Sequence, residues 1–187
     1  MAEYKFIESP IKGLYVVGPQ VFGDSRGYFM EAYTKNNFVA AGLDMEFVQD
    51  NESRSKKGVL RGLHFQTKYS QGKLVRALQG KVFDVGVDLR KDSPTFGKWF
   101  GEVLSEENKK MLYIPEGFAH GFLVLSDTAT FTYKCTNYYA PEYDAGIMFD
   151  DPDIGIQWPM EGLGEVLLSE KDKKHPSFKE FCKNNPF

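Results

Sequence analysis

The chain is short of several things, and each shortage closes off a class of function. It has only two cysteines, Cys135 in a strand-like run and Cys182 near the C-terminus. Their spacing gives neither a zinc pattern nor a disulfide framework, so both are expected to be reduced thiols. No apolar run approaches the length of a membrane span. Met1 to Lys12 holds no cationic segment followed by an apolar stretch, so no signal peptide or membrane partner is expected and the protein is placed in the cytoplasm. Net charge is −3 with no block of lysine and arginine, which leaves no electrostatic footprint for nucleic acid. There is no glycine-rich dinucleotide fingerprint, and hence no sign of a nicotinamide site.

What the chain does have is enough apolar material to fold. Of its 187 residues 42% are apolar and 15% aromatic, which excludes disorder and fits one domain spanning 1–187. Short β-type runs dominate: 13–21, 28–33, 46–53, 59–66, 74–78, 81–89, 99–104, 111–114, 121–124 and 128–139. Gln79-Gly80, between two of these runs, predicts a hairpin. Thr34 reads as the N-cap of a brief helix over 35–41 that Gly42 closes. Ser169 to Asn184 is charged and predicted helical, with Pro176 starting a last short helix. Many short strands with turns between them predict a sandwich or barrel.

The stretch from Gly58 to Gly80 carries chemistry. Metal-binding cupin barrels show Gly, five residues, His-x-His, three to six residues, Glu, six residues, Gly. Here the spacing is kept, with Gly58, His64, Gln66, Lys73 and Gly80, but Gln66 replaces the second His and Lys73 replaces the Glu. The second cupin motif is intact as Pro115-Glu116-Gly117-Phe118-Ala119-His120. A metal needs electron-donating ligands, and an ammonium in place of a carboxylate repels it. The same ammonium suits an enolate growing beside a carbonyl. The reading is a mainly β, double-stranded β-helix (a cupin or jelly-roll barrel) with a few short helices and a helical C-terminal segment, and no metal.

Segments around this motif sharpen the match. Gly58 to Gln66, Gln71 to Val75, Phe22 to Glu31, Phe47 to Asn51, Val82 to Val85, Ile114 to Phe122 and Tyr133 to Tyr139 together resemble the dTDP-4-dehydrorhamnose 3,5-epimerase family. The resemblance runs from near residue 10 to about Asp172. It implies a cofactor-free isomerase acting on dTDP-4-keto-6-deoxy-D-glucose. The C4 ketone acidifies the protons at C3 and C5, and each is removed and returned on the other face, giving dTDP-4-keto-L-rhamnose.

The resemblance also implies roles. His64 corresponds to the general base, Asp172 to the carboxylate that supports it, Tyr133 to the acid on the opposite face and Lys73 to the enolate's counter-charge. Asp84 and His120 fall in the polar lining. Gln49, Asn51 and Arg61 resemble sugar and diphosphate contacts, and Tyr139 a residue that stacks on thymine, with Asp144 and Lys171 nearby. The family often carries Glu where this chain has Asp144. Arg26, Phe29 and Glu31 match an arm that reaches a neighbouring subunit, which implies a homodimer with shared sites. Read without the family, Asp172 is a cap in Ser169-Glu170-Lys171-Asp172 and Tyr133 is a core tyrosine. Arg61 and His64 lie on opposite strand parity, so both line one site only if Gly62 marks a bulge or the strand twists.

Three alternatives remain open at this point. One is a nucleotide-sugar 3-epimerase or 3,4-ketoisomerase, against which Tyr133 argues. Another is a metal-dependent cupin, against which Gln66 and Lys73 argue. The third is a binding cupin without catalysis.

Overall fold

The computed structural model describes residues 3–187. Two antiparallel sheets face each other. The first contains, in spatial order, β1 (Tyr4–Glu8), β2 (Tyr15–Pro19), β10 (Met111–Ile114), β7 (Lys73–Gln79), β12 (Thr128–Cys135) and β5 (Gln49–Lys56). The second runs β13 (Asp144–Gly146), β6 (Leu60–Gln66), β11 (Phe118–Val124), β8 (Lys81–Asp88) and β9 (Trp99–Ser105). A separate hairpin of β3 (Val21–Asp24) and β4 (Gly27–Met30) stands apart from both sheets. This is the expected β-barrel of cupin type.

Strand parity decides what each sheet buries, because alternate residues face opposite ways. Val75 and Ala77 on β7, Ala129 and Phe131 on β12, Val82 on β8, and Phe122 and Val124 on β11 form one core between the sheets. The Phe122 and Phe131 rings stack at 4.3 Å across that gap. The intervening residues of the second sheet, Val85, Val87 and Ala119, face outward. There they meet Ile147, Ile154, Ile156 and Phe181 of α2 (Phe178–Cys182). On the outer face of the first sheet, Val17, Leu74 and Met111 pack with Phe38 of α1 (Lys35–Ala40). Burying Phe38 completely is worth about 1.5–3 kcal/mol.

Several local expectations change. The turn at Gln79-Gly80 makes no hairpin. β7 pairs with β10 and β12, and β8 pairs with β9 and β11, so the turn carries the chain from one sheet to the other. Gly80, at φ +73°, is needed there because a Cβ would come within 2.1 Å of the Thr128 carbonyl. The run over 13–21 splits into β2 and the start of β3, and β1 and β13 had gone unread. Thr34 does sit at the N-cap of α1, but its hydroxyl donates to Glu31 Oε2 at 2.7 Å instead of capping. The C-terminal helical segment is realised as a 3₁₀ turn at Asp172–Lys174 and as α2. α2 is capped by Ser177, whose Oγ accepts from the Glu180 N–H, so the helix starts two residues after Pro176.

Candidate active site

The barrel interior carries polar groups at one end. Lys73, Tyr133 and Cys135 continue the inward parity of β7 and β12, and Lys73 is opposite Cys135 in the register. Gln49 and Asn51 pair with Cys135 and Tyr133 from β5 and therefore share their face. From the second sheet come Asp84, on the parity of Val82, and His120, on the parity of Phe122. His120 also pairs with His64.

Arg61 reaches the same face through a bulge. Between these pairings β11 advances two residues, from His120 to Phe122, while β6 advances three, from His64 to Arg61. The extra residue turns Arg61 to the side of His64. Gly62 permits it: φ is +132°, and a Cβ would lie 2.5 Å from the Gly121 Cα.

His64 Nε2 lies 2.6 Å from Asp172 Oδ1. Asp172 sits in the 3₁₀ turn, where its N–H donates to Ser169 Oγ at 3.1 Å. Half of the capping pattern therefore forms, but the carboxylate turns inward. Burial alone would raise the Asp172 pKa, yet the imidazoles of His175 and His64 beside it hold it well below the usual carboxylate range. An ionised carboxylate only accepts, so Nε2 of His64 is the nitrogen that donates to it, which leaves Nδ1 as the ring nitrogen not used by Asp172. The His64 side chain is 33% exposed, open to a cleft of about 600 Å³ lined by Arg61, Tyr139, Asp144, Lys171 and Asp172.

Deeper in, His120 Nε2 and Asp84 Oδ2 are 2.9 Å apart. Burial pushes the imidazole down and the carboxyl up, each partly offset by the other. Burial likewise lowers the Lys73 ammonium, with Cys135, Asp84 and Asp144 pulling the other way. Its Nζ stands 5.7 Å from the centroid of the Tyr133 ring. Burial raises the Tyr133 phenol, which keeps it protonated as a hydrogen donor.

The remaining residues form the mouth. Gln49 Nε2 donates to Asn51 Oδ1 at 3.0 Å, and Gln49 Oε1 accepts from the Tyr139 N–H at 2.9 Å. Tyr139 OH donates to Asp144 Oδ2 at 3.0 Å, and Lys171 Nζ pairs with the same oxygen. Arg61 reaches Ser55 Oγ at 3.1 Å. Gln66 has its amide fully used, donating to Tyr69 O and Tyr138 O and accepting from the Ala140 N–H. At the old ligand position it now pins the loop that presents Tyr139.

Arg26, Phe29 and Glu31 are not brought to this cleft. Arg26 pairs with Asp24 on the exposed hairpin, Phe29 is 65% exposed, and Glu31 is bound to Thr34. Two ionisable residues of the surroundings had gone unread, Lys56, which lines the cleft, and His175, as had the cleft residues Leu167 and Leu168.

His64, Asp172 and His175 bring three donor atoms within 4.8 Å of one another, the nearest thing to a metal triad among the described residues. The short His64–Asp172 bond already places a proton between two of them. Both cupin-motif imidazoles are in fact tied to carboxylates, His64 to Asp172 and His120 to Asp84. The set reads as hydrogen-bonded acid–base groups.

Fold and site thus define a cupin-type barrel whose interior holds imidazole, carboxylate, phenol and ammonium groups. The dTDP-4-dehydrorhamnose 3,5-epimerase family model matches residues 8–180, and the chain belongs to that family of isomerases. A dTDP-4-dehydrorhamnose 3,5-epimerase of Methanothermobacter thermautotrophicus is 54% identical over 180 residues, covering 96% of this chain and 97% of that one. The crystal structure of a Legionella pneumophila dTDP-6-deoxy-D-glucose-3,5-epimerase in complex with dTDP-4-keto-L-rhamnose superposes with a TM-score of 0.90. It is 50% identical and covers 94% of this chain and 93% of its own. A more distant structure, a 3'-monoepimerase of Streptomyces bikiniensis in complex with dTDP-quinovose, gives 0.86 at 34% identity, covering 92% and 87%.

Proposed function

We propose that this chain inverts C3 and C5 of dTDP-4-keto-6-deoxy-D-glucose to give dTDP-4-keto-L-rhamnose, the step that leads to dTDP-L-rhamnose. The observation that carries the reading is His64 on the second sheet, paired with Asp172 of the 3₁₀ turn, set against Tyr133 and Lys73 on the first sheet. In this reading His64 Nδ1 takes the proton next to the C4 ketone. Asp172 supports the imidazolium that results. Lys73 meets the negative charge that moves onto the C4 oxygen, and Tyr133 returns a proton from the opposite side. General acid–base transfer of this kind contributes roughly 10²–10⁴-fold. His120 and Asp84 line the floor. Arg61 and Lys171 supply cations for the diphosphate, with Gln49, Asn51, Tyr139 and Asp144 shaping the nucleotide mouth.

The chain acts as one domain over 1–187, in the cytoplasm, without metal or cofactor. It pairs with a second copy, and Arg26, Phe29 and Glu31 complete the partner's site. Val21, Phe22, Tyr28 and Phe29 are all exposed on the β3–β4 hairpin, an apolar surface that suits burial against another chain. A monomer in sedimentation with full activity rules out the shared site.

The decisive test is solvent deuterium incorporation into dTDP-4-keto-6-deoxy-D-glucose, located by NMR. Deuterium with inversion at both C3 and C5 is expected, and the activity should survive exhaustive chelation. Inversion at C3 alone makes the chain a monoepimerase. Loss on chelation with rescue by one divalent ion overturns the metal-free reading.

A further inference from the structure

The Asp172 carboxylate has two imidazole neighbours, and only one belongs to the mechanism above. His175 Nε2 lies 3.3 Å from Asp172 Oδ1, the same oxygen that His64 approaches at 2.6 Å. The 3₁₀ turn Asp172–Lys174 makes this possible, since residues three apart eclipse one another in that helix. The His175 side chain is 6% exposed, and its ring stands at 74° to that of His64 with centroids 5.5 Å apart. Nε2 is buried, yet it makes no well-aligned hydrogen bond among the described residues.

Room has been left for this ring. Gly146 on β13 pairs with His64, and a Cβ there would come within 2.5 Å of both Cε1 and Nε2 of His175. The same Cβ would also meet the Leu63 carbonyl at 2.6 Å, so backbone packing favours glycine there too. The charged groups around His175 are few. Asp172 faces it from its own turn and His64 from β6. Asp144, on β13, and Lys171 pair with one another, and with Glu180 of α2 they line the adjoining cleft.

We propose that His175 is a positioning residue: by sharing Asp172 Oδ1 with His64 it fixes the carboxylate and limits how firmly that carboxylate holds a proton on the base. A carboxylate facing a single imidazole stabilises the imidazolium strongly, and the base then gives up its proton slowly before the next abstraction. A second N–H near the same oxygen draws part of its charge. The lowered pKa of Asp172, held down by both imidazoles against the effect of burial, fits this arrangement. The catalytic consequence rests on His64 being the base, as proposed above.

The test uses the full chain and two substitutions. His175→Phe keeps a ring of similar size and removes the donor, while His175→Gln keeps an N–H near the old Nε2. His175→Phe is expected to move the acid limb of kcat upward by about half to one pH unit, with KM little changed, and His175→Gln to return it toward the parent. In parallel, NMR titration follows the ring protons, which only three histidines make simple to assign. His64 should titrate at higher pH in His175→Phe than in the parent. In the parent itself, the His64 and His175 signals should each register the other's titration. That last measurement needs neither a folded variant nor activity. Shared titration without epimerisation upholds the coupling and refutes the reaction. An acid limb and a His64 titration that stay in place in His175→Phe, or independent titrations in the parent, overturn the proposal.

Discussion

Replacing Asp172 with asparagine keeps the shape of the side chain and removes one buried negative charge. The backbone bond from Asp172 N–H to Ser169 Oγ survives, so the 3₁₀ turn should hold. What disappears is support for the imidazolium that His64 becomes once it has taken a proton. With the Nε2–Oδ1 distance at 2.6 Å, the two charge centres lie roughly 4 Å apart, which at an effective dielectric of about 20 is worth about 4 kcal/mol. That stabilisation is felt after proton transfer and hardly at all in the resting enzyme, so it falls on kcat. Four kcal/mol is about a thousandfold. An amide can also offer its own N–H to Nε2 and fix the wrong tautomer, which takes the loss toward roughly 10⁴. The sign of the pH effect is fixed too: without the negative neighbour His64 is harder to protonate, and the acid limb moves to lower pH. The assay is initial deuterium wash-in at C3 and C5 between pH 5 and pH 9, with thermal unfolding as the control. An Asp172→Asn protein that folds like the parent and exchanges within tenfold of its rate would refute the argument and return Asp172 to the role of a turn residue.

Three further outcomes follow from the same geometry. Tyr133→Phe should still wash in deuterium but with retained configuration at C5, inversion falling by about 10²-fold or more; inversion at the parent rate moves the acid to another group. Lys73→Met should slow exchange by about 10²–10³-fold and yet raise the melting temperature. Burial lowers the Lys73 pKa, so the fold binds that proton less tightly than the unfolded chain; the penalty is fully present below the folded pKa, vanishes above the unfolded one, and is removed by methionine. A gain of ~1 kcal/mol is about 2–4 °C for a chain of this size, and a lowered melting temperature contradicts the reasoning. Gly62→Ala should cost about 2 kcal/mol or more, with exchange lost, because its Cβ collides with Gly121 and the bulge that aligns Arg61 with His64 cannot form; a calorimetric scan matching the parent speaks against it.

The parts legible in the sequence were those fixed by spacing along one strand. β10 was read at its true limits, and β6, β8 and β9 to within one residue at each end, because alternation and flanking turn residues are local signals. The cupin spacing from Gly58 to Gly80 located His64 and Lys73, and that from Pro115 to His120 located His120, for the same reason. The parity conflict between Arg61 and His64 called for either a bulge at Gly62 or a twist of the strand, and the register contains the bulge. What stayed hidden depends on which strands meet. Gln79-Gly80 has the composition of a hairpin turn whether its strands pair or part. Only the partners of β7 and β8 reveal that it joins two sheets. Gln66 was legible as a lost ligand, but its work, holding Tyr69, Tyr138 and Ala140, lies across the fold. His175 shows the remaining gap. Its signal was present, three residues after Asp172, but that interval has meaning only in a 3₁₀ turn, and the charged run from Ser169 reads as an ordinary α-helix. At 3.6 residues per turn the two side chains diverge by about 60° around the axis; at three per turn they superpose, and His175 arrives on the carboxylate that His64 uses.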